Sequence, residues 1–211
     1  MILKSIFWKI EDWAWSCRCR YSLWLHGPYG LAKVVEKMSF RFLIKYLRRY
    51  GASIGDNCRF ERGLNLHRPL GKKPFENLVI GNGVYLGHNT LIDLSRKVEI
   101  GDKAIFASRC QIWTHASYYG QAAPEQFEYG ENYGQVTVEE GAIIYSNVVI
   151  GHGTRIGRHA RVGACSLVTR DVPSGQFVGG VPAKELKTAH FSRHTAPAPQ
   201  ANTIPHQQNA S

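Results

Sequence analysis

The chain has 211 residues, 44% hydrophobic and 20% charged, with 26 Lys+Arg against 16 Asp+Glu and a formal charge of +10. That is the balance of a globular domain with a core of its own, and it excludes a low-complexity or collagen-like chain. No stretch approaches the roughly 20 apolar residues of a membrane span, and Lys9, Glu11 and Asp12 interrupt the apolar opening too early for a signal-peptide core.

The positive charge is concentrated at the start: residues 1–50 carry 10 Lys+Arg against 3 Asp+Glu, the remaining 161 carry 16 against 13. No zinc-finger or RNP motif accompanies it, so nucleic acid is not the expected partner. Five cysteines (Cys17, Cys19, Cys58, Cys110, Cys165) make an odd number with no disulfide framework. The Cys17-x-Cys19 pair lacks a second pair or nearby His at zinc spacing, so no metal is expected. A reducing cytoplasm is the simple reading.

Residues 1–50 read as helical, broken at Gly27-Pro28. Leu31, Val34, Val35, Met38, Phe42 and Leu43 recur at helical spacing, with Lys and Arg filling much of the rest. Four of the five tryptophans (Trp8, Trp13, Trp15, Trp24) fall here. Trp and basic residues on one segment suit a membrane interface, which would place the protein on the inner face of a membrane. A helical cap packing its aromatics on the main domain or a neighbouring subunit is the alternative.

Residues 51–187 carry a period of six. Aliphatic residues fall at Ile80, Leu86 and Ile92, restart at Ile100, Phe106 and Ile112, and restart again at Val138. From there they run unbroken through Ile144, Ile150, Ile156, Val162 and Val168. Gly often follows (Gly81, Gly87, Gly101, Gly151, Gly157, Gly163), and a small or β-branched residue stands four positions on. Ile54, Phe60 and Leu66 show the same spacing more weakly. Each hexad supplies a short strand and a corner, three hexads close a coil, and coils stack at about 4.8 Å. The aliphatic points inward, the Gly is expected to permit the corner, and the ends need caps, which residues 1–50 would supply at one end.

Two segments break the phase. Residues 67–77 read as a surface loop from their prolines and charge. Residues 116–134, with Tyr118, Tyr119, Tyr129 and Tyr133, form a long insertion of the kind that is usually functional. Residues 188–211, rich in Pro, Ala, Gln and Asn, read as a disordered tail.

Over residues 51–187 the chain resembles the hexapeptide-repeat acyltransferases, specifically maltose and galactoside O-acetyltransferases and colanic-acid or O-antigen relatives. The motifs are Val98-Glu99-Ile100-Gly101-Asp102, Trp113-Thr114-His115, the run from Val162-Gly163-Ala164-Cys165 to Asp171-Val172-Pro173, and Gly179-Gly180-Val181-Pro182-Ala183-Lys184. The resemblance implies a mainly β fold, a left-handed parallel β-helix with an N-terminal helical segment. It also implies a homotrimer with sites between subunits, and acetyl-CoA as the acyl donor.

Acetyl transfer to a hydroxyl needs a base, and His titrates nearest neutrality. His115, where the long loop leaves the coil, matches the family's catalytic histidine. By the same match the backbone N–H of Ser146 is the expected oxyanion donor, although Tyr145 stands at a corner where relatives usually have Gly. Ala164, Thr169 and Lys184 resemble positions that touch the cofactor, with Cys165 replacing a common Gly. For the acceptor, Asp93 stands where most hexads carry Gly; it could hydrogen-bond sugar hydroxyls, orient the base, or be a solvated corner. Asn89 matches a family asparagine loosely. His88, His152 and His159 read as exposed corners.

The expected reaction is therefore acetyl transfer from acetyl-CoA to a hydroxyl of a sugar or surface-polysaccharide precursor, a lipid-linked or nascent glycan being favoured by the basic N-terminus. An amine acceptor and a non-catalytic scaffold are the alternatives. A zinc-dependent carbonic anhydrase on the same coil is disfavoured, since neither Cys110 nor Gly120, five residues either side of His115, completes the ligand pair.

Overall fold

The computed structural model describes residues 2–117 and 131–186. Two helices come first, α1 (Ile2–Val35) and α2 (Phe40–Arg49). α1 bends at Gly27, whose φ of 62° and ψ of −159° are not helical. Pro28 supplies the reason: it has no N–H to continue the ladder and crowds the residue before it.

The chain then winds through three parallel faces, and the six-residue period becomes three vertical ladders inside the coil. The first face stacks Ile54, Ile80, Ile100, Val138 and Ile156. The second stacks Phe60, Leu86, Phe106, Ile144, Val162 and Val178. The third stacks Leu66, Ile92, Ile112, Ile150 and Val168. All are buried, as are the small residues between them, among them Ala104, Cys110, Ala142 and Ala160. One coil's apolar edge is covered only by the next, which is why the core is continuous from end to end.

The structure assigns the recurrent glycines a different job from the expected one. The left-handed corner residue is the third after each aliphatic, not the first: Asn89 (φ 55°), Lys103 (φ 56°), Arg109 (φ 63°), Asn147 (φ 59°), His159 (φ 55°) and Cys165 (φ 57°). Gly101 has no such backbone. A Cβ there would lie 2.6 Å from the Glu140 nitrogen and 2.9 Å from the Glu139 carbonyl carbon. It is glycine because the next coil passes too close for a side chain.

Both ends of the coil are closed. At the start, Arg48 of α2 donates from Nε to the Ile54 carbonyl at 2.9 Å and from Nη2 to the Gly55 carbonyl at 2.7 Å. Glu36, just after α1, accepts from the Leu66 N–H at 2.9 Å. These bonds satisfy edge groups that would otherwise invite another strand. Phe42, Leu43, Tyr46 and Leu47 bury the apolar side of α2. At the far end Phe177–Gly179 pairs antiparallel with Lys184–Glu185.

Residues 67–77 are only partly the surface loop that their composition suggests. Phe75 is fully buried, its N–H donates to the Tyr50 carbonyl at 3.1 Å, and Pro69 is buried too. The remaining breaks in phase share one place. The segments after Leu66, after Ile92 and after Ile112 all leave the repeat where the third face turns toward the first, on three successive coils. Of the long insertion, His115–Ser117 pairs antiparallel with Glu131–Tyr133, opposing His115 to Tyr133; Tyr118, Tyr119 and Tyr129 lie outside the described residues, as do residues 188–211.

Candidate active site

The shared corner of those three coils gathers polar side chains that the repeat would otherwise exclude. Asp93 follows Ile92 and has no exposed surface. Its Oδ2 accepts from the Thr114 N–H at 2.9 Å and the Thr114 hydroxyl at 2.6 Å, and lies 2.7 Å from His115 Nδ1. Its Oδ1 accepts from the Ser95 hydroxyl at 2.8 Å. Thr114 Oγ1 in turn accepts from the Arg96 N–H at 3.0 Å, which directs its proton to Asp93.

Burial by itself pushes the Asp93 carboxyl up, but the hydrogen bonds from His115, Thr114 and Ser95 together hold it below the usual carboxylate range. An ionised Asp93 accepts only, so the proton between it and His115 belongs to Nδ1. That leaves Nε2 as the basic nitrogen of the ring.

Among the described residues, three rings surround His115. His67, from two coils before, stacks on it at 5.8 Å and 16°; Trp113 meets it edge-on at 6.0 Å; Tyr133 lies at 6.2 Å. Arg96 sits 3.9 Å over the Tyr133 ring, and Arg68 Nη2 is 3.5 Å from its hydroxyl. Burial lowers the pKa of His67, and the charges of His115, Arg68 and Lys33 lower it further against the opposing pull of Asp93. A stack of imidazoles in which one is kept neutral avoids the repulsion of two cations.

The other sequence-derived positions fall along the coil's edges. Asn89 and Ser146 stand where the second face turns into the third, two coils apart. Ser146 is half-buried, its carbonyl accepts from the Cys165 N–H at 2.9 Å, and exposed Ala164 lies on the coil below. Lys184, exposed, pairs with Gly179 near the same edge. Thr169 is exposed on the edge that carries His115. Tyr145 is exposed with an ordinary backbone, its N–H donating to the Val162 carbonyl at 3.0 Å. Within one chain, then, Asp93 and His115 are brought together. Ser146 and Asn89 lie on the opposite edge of the third face, the length of a seven-residue run away, on the order of 20 Å. Of the residues discussed for the acceptor, Asp93 is closed off from any ligand: its oxygens are spent on Thr114, Ser95 and His115.

Sequence reasoning missed His67 and Ser95. The usable signal was the position of the phase breaks: His67 opens the first and Ser95 sits in the second.

A stacked β-coil with a buried carboxylate–imidazole pair at one corner departs from a regular solenoid. The family model for bacterial transferase hexapeptide repeats, six repeats in all, matches residues 135–170. A galactoside O-acetyltransferase from Lactococcus lactis is 28% identical over 141 residues, 66% of this chain and 64% of that protein. The chain thus spans less than two thirds of that relative's length. The structure of a hexapeptide-repeat acetyltransferase from Vibrio cholerae superposes with a TM-score of 0.65 at 20% identity, covering 76% of this chain and 90% of that one. An N-acyltransferase from Bacillus cereus, solved with dTDP and coenzyme A, superposes with a TM-score of 0.54 at 25% identity, covering 64% and 72%. The coil is the left-handed parallel β-helix, and the chain is similar to the hexapeptide-repeat acyltransferases.

Proposed function

We propose that this protein transfers an acetyl group from acetyl-CoA to a hydroxyl of a sugar or polysaccharide precursor, with His115 as general base. The observation that carries the reading is the buried Asp93 carboxylate 2.7 Å from His115 Nδ1. It holds the ring in the tautomer whose Nε2 can take a proton, and it stabilises the imidazolium that results. The acceptor O–H gives its proton to Nε2 as its oxygen bonds to the acetyl carbon. The C–S bond then breaks, and the departing sulfur recovers the proton from His115. A positioned base of this kind is worth about 10²–10⁴-fold.

Acetyl-CoA supplies the activated acetyl group and leaves as the thiol. The edge bearing Ser146, Ala164 and Lys184 suits it: Ala164 and Lys184 are exposed, and Val181, 71% exposed, offers an apolar shelf beside the lysine. The Ser146 N–H is assigned to the developing oxyanion, with Thr169 a contact on the other edge and Asn89 an acceptor contact. Because Ser146 and Asn89 stand across the third face from His115, a site using both edges is completed by another copy of the chain. A homotrimer meets that requirement.

Sugar-hydroxyl chemistry is favoured by the galactoside O-acetyltransferase relative. The Bacillus cereus N-acyltransferase supports an amine acceptor as the second reading. The test is thiol release from acetyl-CoA with neutral sugars and amino sugars, for wild type and His115→Ala. Release with neutral sugars, reduced about 10²-fold or more in the variant, supports the proposal. Release with amino sugars alone selects the second reading. If no thiol is released and acetyl-CoA does not bind, the protein is a scaffold.

A further inference from the structure

The first limb of α1 has two apolar faces, and among the described residues only one has a partner. The inward face is seated on α2. Cys19 is fully buried, Trp15 and Leu23 pack on the core, and Asp12 joins Lys45 at 2.6 Å. Tyr46 also donates to the Asp12 carbonyl at 2.7 Å. The outward face carries Ile10, Trp13, Cys17, Tyr21 and Trp24, at spacings of three, four, four and three residues that keep them in one stripe. All are exposed, Trp13 by 69% and Trp24 by 80%. Phe7 and Leu25 widen the stripe at its ends.

Charge says what covers it. Exposed Lys9 and Arg20 flank one side of the stripe and exposed Arg18 the other. The acidic residues of this limb are turned away, Asp12 to Lys45 and Glu11 toward the Trp15 indole N–H at 3.4 Å. Trp and Tyr beside Lys and Arg match the boundary between lipid headgroups and acyl chains, and basic residues on both sides, with the acidic ones turned away, suit an anionic one. No helix among the described residues is long and apolar enough to cross a membrane, so the limb would lie in the plane of the surface.

We propose that the outward face of α1 docks the protein on an anionic lipid bilayer, its aromatic stripe in the headgroup boundary and Lys9, Arg18 and Arg20 against lipid phosphates. This assignment stands whether or not His115 is the base.

The test is co-sedimentation of the full chain with phosphatidylcholine vesicles, with and without phosphatidylglycerol, for wild type, Trp13→Ser/Trp24→Ser and Arg18→Glu/Arg20→Glu. Wild type is expected to bind the anionic vesicles and release as salt rises. The tryptophan pair should weaken binding by at least about tenfold, the effect of exposing one large apolar side chain. The arginine pair should lower binding to anionic vesicles by a similar factor, and neither pair should shift the melting temperature. Failure of wild type to bind, or unchanged binding of the tryptophan variant, overturns the proposal. A smaller oligomer by light scattering in the tryptophan variant also overturns it, by showing that the stripe joins subunits.

Discussion

Replacing Asp93 with asparagine isolates what its charge does for His115. The carboxylate receives the Thr114 N–H, the Thr114 hydroxyl and His115 Nδ1–H on one oxygen and the Ser95 hydroxyl and N–H on the other. An asparagine best keeps its single oxygen toward Thr114 and His115: its NH₂ then faces Ser95, whose hydroxyl rotates to accept although the Ser95 N–H, 3.3 Å from that position, loses its acceptor. The reverse orientation would set the NH₂ against two Thr114 donors. The tautomer of His115 therefore survives, but a charge-assisted bond becomes a neutral one just where the imidazolium forms. A hydrogen bond to a charged group contributes about 1.5–3 kcal/mol, so kcat should fall about 10–10²-fold. That is less than the loss for His115→Ala, and the KM for acetyl-CoA should not move. The assay is continuous thiol release at saturating acceptor. Stability gives a second readout. Since the folded carboxyl titrates below its ordinary value, its contribution is present at neutral pH and lost as pH falls through that lowered value. The variant should thus be less stable than wild type at pH 7 and converge with it in strong acid. Wild-type kcat in Asp93→Asn beside an inactive His115→Ala would refute the orienting role.

His67 makes a prediction of opposite sign. Burial lowers its pKa from 6.5, so the unfolded chain binds the proton more readily than the folded one. Its contribution is complete above about pH 6.5 and declines as pH drops below that; His67→Phe should flatten this slope in the melting temperature while keeping a ring against His115. The close approach of coils at Gly101 predicts that Gly101→Ala costs about 1–3 kcal/mol by overpacking. Gly151→Ala, whose added carbon meets only the Val168 carbonyl oxygen at 3.2 Å, should cost less, and chemical denaturation of both variants checks the difference.

The coil was legible from residue spacing because its determinants are local and repeated. An aliphatic every six residues sets which side chain points inward on every strand, and Val138 to Val168 hold that phase without a slip. The place of His115 was legible as well, at the point where the repeat breaks and the long insertion begins.

Other features depend on stacking, which joins residues far apart in the chain. Asp93 lies 22 residues from His115 and reaches it only because the Leu91–Asp93 strand pairs with the Gln111–Ile112 strand on the next coil. The same pairing sets Asp93 out of solvent and against His115, because burial and partners, not residue type, decide what a carboxylate meets. His67 carries no motif and enters the site through its register with Asp93. The glycines followed the same logic: their spacing was visible, but the neighbour that excludes a side chain at Gly101 is residue 140, a full insertion away in sequence and 2.6 Å away in the coil. Spacing along the chain dictates which side of each strand faces inward, whereas contacts between coils arise only when strands stack in register.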